Sequence, residues 1–96
     1  MLQSRFIDLE NYKTEDLIFK GIQGAILNMS VTGSPTITVK GEHKATGAYD
    51  LAVINMSNMD KTASITGEGM YMIPILGCDK VELEVSGTGT IYAKEI

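Results

Sequence analysis

From Gly24 the chain alternates in character. Ala25, Leu27, Met29 and Val31 fall on one side of an extended backbone, with Ile26, Asn28 and Ser30 on the other. That period of two is the mark of a half-buried strand. Thr32-Gly33-Ser34-Pro35 predicts a turn, because Gly relaxes φ and Pro presets it. Residues 36–40 predict a strand rich in β-branched side chains, Ile37 and Val39 on one face and Thr36, Thr38 and Lys40 on the other. Residues 41–47 are polar and predict a loop. Residues 49–56 predict a strand apolar on both faces, as in a covered position. Ser57-Asn58-Met59-Asp60 turns the chain, and a short strand surrounds Ile65 over residues 62–66.

Residues 67–96 carry the strongest pattern. Tyr71-Ile73-Ile75, Val81-Leu83-Val85 and Ile91-Ala93 are alternating apolar runs between glycine-marked turns, which predicts a compact antiparallel meander. If those eight side chains face the core, Met70, Met72 and Pro74 face the other way. Methionine suits adaptable contact surfaces, so Met70, Met72 and Pro74 form a candidate contact face. The same pattern is satisfied if the N-terminal segment covers the strand. Pro74 removes one ladder donor, which fits an edge strand or a bulge.

Residues 1–23 are the least patterned. Phe6, Ile7 and Leu9 suit either a short strand or an extended arm reaching a neighbour. Thr14-Glu15-Asp16-Leu17-Ile18-Phe19-Lys20-Gly21 fits a short capped helix or a strand through Leu17-Ile18-Phe19. The strand is favoured, since such short helices are uncommon and the rest of the chain reads as β. Short strands separated by turns about every 8–12 residues point to an all-β fold, a small antiparallel β-sandwich or barrel. The expected division is an N-terminal arm or first strand over 1–23 and a β-sandwich domain over 24–96.

Composition narrows the partners. Ninety-six residues suit one domain. A domain this small buries only about 60–65% of its unfolded surface, so association would add stability. The net charge is -4 and the eight basic residues are scattered, which argues against a nucleic-acid partner. No apolar run matches a signal peptide or a membrane helix, so synthesis and folding in a cytoplasm, with no membrane partner, are expected. One cysteine cannot build a disulfide framework.

Candidate chemistry is thin. His43, the only histidine, sits in a polar stretch and reads as a solvated loop residue. Cys78 is followed by Asp79, whose charge raises a thiol pKa and blunts its reactivity. Glu82 and Glu84 share one face of a strand, where a solvent face is the ordinary reading and a glycosidase pair the rare one. Gly67-Glu68-Gly69 and Gly87-Thr88-Gly89 lack the spacing of phosphate loops and read as hairpin glycines with φ > 0. No calcium-loop spacing or zinc set occurs. Tyr49 and Tyr92 are the available platforms for a sugar, with packing in the core or at a strand rim the ordinary reading. The expectation is a protein that is not an enzyme, with no cofactor and no metal.

The stretch over residues 24–94 resembles small β-sandwich, jelly-roll-like domains of tailed-bacteriophage virion and prophage proteins. The resemblance lies in Val31-Thr32-Gly33-Ser34-Pro35-Thr36-Ile37-Thr38-Val39-Lys40-Gly41, in Tyr49-Asp50-Leu51-Ala52-Val53, and in Ile65-Thr66-Gly67-Glu68-Gly69-Met70-Tyr71-Met72-Ile73-Pro74-Ile75-Leu76-Gly77. It closes with Val81-Glu82-Leu83-Glu84-Val85 and a Gly-Thr-Gly hairpin into Ile91-Tyr92-Ala93. These domains serve as capsid decoration proteins, head fibres and tail or baseplate modules. The polar loop here lacks the aromatic often seen near Tyr49. A chain starting at Met1 is expected to be a stand-alone accessory protein rather than a module of a long fibre.

The resemblance implies a non-enzymatic structural protein of a phage virion, a capsid decoration or cement protein on the outer shell. It would be made in the bacterial host cytoplasm and incorporated into the virion. Its partners would be the major capsid protein or other virion subunits, and it would be a homo-oligomer, a trimer being one form. The alternative is a carbohydrate- or receptor-binding module of a phage tail, fibre or baseplate.

Overall fold

Alternation along each strand sets the architecture. Leu27, Met29 and Val31 turn inward from one sheet; Ile37 and Val39 turn inward from another, and they meet in a single core. The computed structural model describes residues 1–96. Its strands are β1 (Ser4–Asp8), β2 (Ile18–Lys20), β3 (Ile26–Gly33), β4 (Thr36–His43), β5 (Gly47–Asp50) and β6 (Val53–Asn55). There follow β7 (Asp60–Thr62), β8 (Ile65–Thr66), β9 (Gly69–Pro74), β10 (Lys80–Ser86) and β11 (Gly89–Glu95). A six-stranded sheet has the order β1-β11-β3-β9-β6-β7, and the facing sheet has β2-β10-β4-β5 with β8 added to β4. All pairings are antiparallel. The protein is a small antiparallel β-sandwich, the fold class that the alternation predicts.

The strand order is that of a jelly roll. The first half of the chain, β1 to β4, lies beside the second half run backwards: β11 beside β1, β10 beside β2, β9 beside β3 and β5 beside β4. The rolled ribbon places β1 to β4 in alternating sheets, and β8 to β11 likewise. The meander expected over residues 67–96 is therefore wrong. β9 and β11 belong to the six-stranded sheet, while β10 lies in the other. The local pattern says that each strand has a buried face; it does not say which sheet supplies the cover.

Three local expectations also change. The polar stretch 41–47 is mostly strand: β4 runs to His43 and β5 starts at Gly47, so only a tight turn remains. The expected strand over 49–56 is two strands, with Leu51 and Ala52 carrying the chain from one sheet to the other between β5 and β6. Its apolar residues on both faces are the two insides of a crossover. The short strand over 62–66 divides into β7 and β8, again in different sheets.

The N-terminal residues are built into the sandwich. β1 pairs along β11 from Ser4↔Lys94 to Asp8↔Thr90. Ile7 and Leu9 are core residues, while Phe6 points out. Residues 14–17 form a 3-10 turn, and the strand favoured there is only the short β2 that follows it. Arg5 ties these pieces together. Its guanidinium donates to the carbonyls of Glu15 (3.2 Å), Asp16 (3.1 Å) and Ile18 (2.7 Å) and lies 4.2 Å over the Phe19 ring.

Candidate contact face

Tyr71, Ile73 and Ile75 are buried, and the period of two then sends Met70, Met72 and Pro74 to the outer face of the six-stranded sheet. The N-terminal segment does not cover them: β1 lies at the far edge of the same sheet, beyond β3 and β11. β9 itself is central, between β3 and β6, so it is not an edge strand, although Pro74 lies past the end of its pairing with β6. The proline is tolerated for a local reason. Ile75 N–H bonds to Ala25 O on the β3 side, so the Pro74 nitrogen turns toward β6. Pairing with β6 begins only at Met72↔Ile54, leaving no partner there to lose.

The register extends this face across the sheet. One row reads Phe6, Tyr92, Ser30, Met70; the next reads Ser4, Lys94, Asn28, Met72, Ile54, Lys61. Ile26 and Pro74 sit side by side in the row beyond. Phe6 is 66% exposed, and Tyr92 and Met70 are each 48% exposed. Lys94 and Lys61 are the charged members of these rows; of the uncharged polar ones, Ser4 Oγ donates to Tyr92 Oη (3.2 Å) and Asn28 Nδ2 donates to Met56 Sδ (3.3 Å). The sequence pointed to Met70, Met72 and Pro74 from one strand alone. Phe6, Tyr92 and Ile54 join them only through strand order.

The other outer face has opposite character. Lys80, Glu82 and Glu84 of β10 lie beside Lys40 and Glu42 of β4. Lys40 pairs with Glu84 (3.5 Å) and Lys80 with Glu42 (3.6 Å). Glu82 and Glu84 thus stand on a hydrated, ion-paired sheet face.

The remaining candidates fall at turns. His43 ends β4, exposed, and its Nδ1 accepts the Ala45 N–H (3.1 Å). Cys78 is half-buried against Gly41; burial, then the neighbouring Asp79 charge, pushes its thiol pKa up. Asp79 docks the β9–β10 turn on the β4–β5 turn, its Oδ2 accepting Lys44 N–H (2.7 Å). Gly67, Gly69, Gly87 and Gly89 all have the expected positive φ, but they join strands of opposite sheets, β8 to β9 and β10 to β11, so the hairpins expected there are wrong. Tyr49 is exposed on the smaller sheet and Tyr92 on the larger one, so they make no common platform. No three His, Cys, Asp or Glu side chains gather to hold a metal. A shallow depression of about 330 Å³ lies at the β5–β6 crossover, lined by Asp50, Leu51, Ala52, Lys61, Thr62 and Ala63.

One buried charge escaped the sequence reading. Glu95 is 3% exposed, and its carboxylate accepts N–H bonds from Gln23 (2.8 Å), Gly24 (2.8 Å) and Gln3 (3.0 Å). Burial alone would raise its pKa, but the three backbone donors outweigh that and hold it below the usual glutamate range. The signal was parity: Glu95 continues the inward series Ile91, Ala93.

No protein-family model matches the chain, and no curated protein sequence does. Among solved structures, the crystal structure of the SPBc2 prophage-derived protein YomS is similar to it, with a TM-score of 0.67 and 20% sequence identity. The match covers 98% of this chain and 91% of that one. At that identity the likeness carries the fold, and its coverage takes in the N-terminal residues along with the rest of the sandwich.

Proposed function

We propose that the protein is a non-enzymatic structural component of a phage particle, a decoration or cement protein that lies on the outer shell and contacts the major capsid protein. The observation that carries this reading is the contrast between the two outer faces. One presents Phe6, Tyr92, Met70 and Met72 with few charges; the other is covered by paired Lys and Glu. A contiguous exposed apolar face on a sheet marks a protein contact. Cementing needs complementary surface and no reaction. The prophage origin of YomS, and the resemblance of residues 24–94 to virion domains, support the same setting. On this reading the protein is carried in the virion, takes no cofactor, and has neither nucleic acid nor membrane as partner.

The test is to add the purified protein to expanded shells that lack it. The expected result is saturable binding and greater resistance of the shells to heat, with Met70→Lys weakening binding at least tenfold while its thermal unfolding stays near that of the wild type. Shells that take up no protein overturn the proposal. So does binding that ignores Met70→Lys, or selective binding to glycans, which would move the protein to a receptor-binding role.

A further inference from the structure

The geometry points to a dimer formed by edge-strand pairing, in which β1 of one copy adds antiparallel to β1 of a second copy about a two-fold axis at Phe6. Glu95 N–H donates to Gln3 O, and Leu9 N–H donates to Gly89 O. The odd-numbered residues of β1 therefore face β11, and Ser4, Phe6 and Asp8 turn their N–H and C=O groups outward. β11 is the only strand paired with β1, so this edge is open.

The other sheet edges are blunted and this one is not. β2 and β7 are three residues long and carry Lys20 and Lys61, β8 is two residues long, and β5 is four, opening on Gly47 and closing on Asp50. Short length and lysine are common protections against edge pairing. β1 is the longest edge strand, lacks proline and lysine, and has the exposed Phe6 at its centre. Its one inward charge, Arg5, is engaged with the carbonyls before β2.

The sequence Ser-Arg-Phe-Ile-Asp is self-complementary in this register. Phe6 falls opposite Phe6, Ser4 opposite Asp8, and Arg5 opposite Ile7, so no like charges face each other. The Phe6 peptide groups exchange hydrogen bonds across the axis, and each Asp8 N–H meets the opposite Ser4 carbonyl. The Asp8 carbonyl already accepts Asn11 N–H (3.1 Å). A two-fold axis normal to the sheet keeps both outer faces on one side, so the rows of Phe6, Tyr92 and Met70 from both copies run together. This inference does not rest on the capsid reading.

Sedimentation of the full chain from about 10 μM to about 1 mM covers the range in which so small an interface associates. The mass is expected to rise from 10.4 kDa toward twice that value. Phe6→Lys, which sets two like charges across the axis at an already exposed position, is expected to raise the dissociation constant at least tenfold. Amide exchange on the wild type provides a check that needs no variant: the Phe6 and Asp8 N–H groups should slow as concentration rises. A chain that stays at 10.4 kDa across the range overturns the proposal. An oligomer in which those two amides exchange freely overturns it too.

Discussion

Glu95 is the one charged residue in the interior, and its carboxylate joins three parts of the chain. Gln3 precedes β1, while Gln23 and Gly24 lead into β3. Gly24 permits the close approach: a Cβ there would lie 3.0 Å from Glu95 Cβ and 3.1 Å from the Ile96 backbone. Hydrogen bonds to a charged group are worth about 1.5–3 kcal/mol each. Glu95→Gln keeps one acceptor oxygen but places an NH2 where the other stood, and is expected to cost about 2 kcal/mol in urea unfolding at pH 7. Because the folded pKa is depressed, the stabilisation is present above the unfolded-state value, near 4.5, and is lost as pH falls through the folded value. The gap between wild type and Glu95→Gln should therefore narrow below pH 4.5, as acid titrations of both proteins would reveal.

At the scale of elements, the N-terminal strands behave as parts of the sheets. Removing residues 1–23 deletes β1, β2 and four core side chains, Ile7, Leu9, Leu17 and Phe19. Burying each such side chain contributes about 1.5–3 kcal/mol, so the loss rivals the whole 5–15 kcal/mol stability of a typical domain. The truncated chain is expected to show no cooperative unfolding by circular dichroism; retention of a sharp transition would mean that the sandwich stands without these strands. Much of β3, β9, β10 and β11 was legible in the sequence, because each is long enough for its period of two to register. β2, β6, β7 and β8 are two or three residues long, too short for periodicity to mark their ends or sheets. The contact face was legible in part: Met70 and Met72 stood out within one strand, whereas Phe6 suited a short strand or an arm and nothing local tied it to β9.

For the whole molecule, the two sheets divide the surface by character. The smaller sheet carries the ion pairs Lys40–Glu84 and Lys80–Glu42, both solvent-exposed enough to be screened and of little energetic weight. The larger sheet presents methionine and aromatic surface. If that larger face makes the capsid contact, raising salt from about 0.1 M to about 1 M, which shortens the screening length from about 10 Å to about 3 Å, should leave shell binding nearly unchanged. A steep loss of binding with salt would instead assign the contact to the charged sheet. Both outcomes are readable by co-sedimentation with shells.

The sequence alone determined the all-β class, the inward side chains of the longer strands and the turns with positive φ, because these depend on residues a few positions apart. Tertiary structure decided which strands are neighbours. It rolled residues 67–96 through both sheets instead of into a meander, set Phe6 and Met70 in one row, and brought the Glu95 carboxylate to the N–H groups of residues 3, 23 and 24. Periodicity fixes the direction in which a side chain points relative to its own strand. What it meets there depends on pairing between residues as far apart as 4 and 94, which no local pattern records.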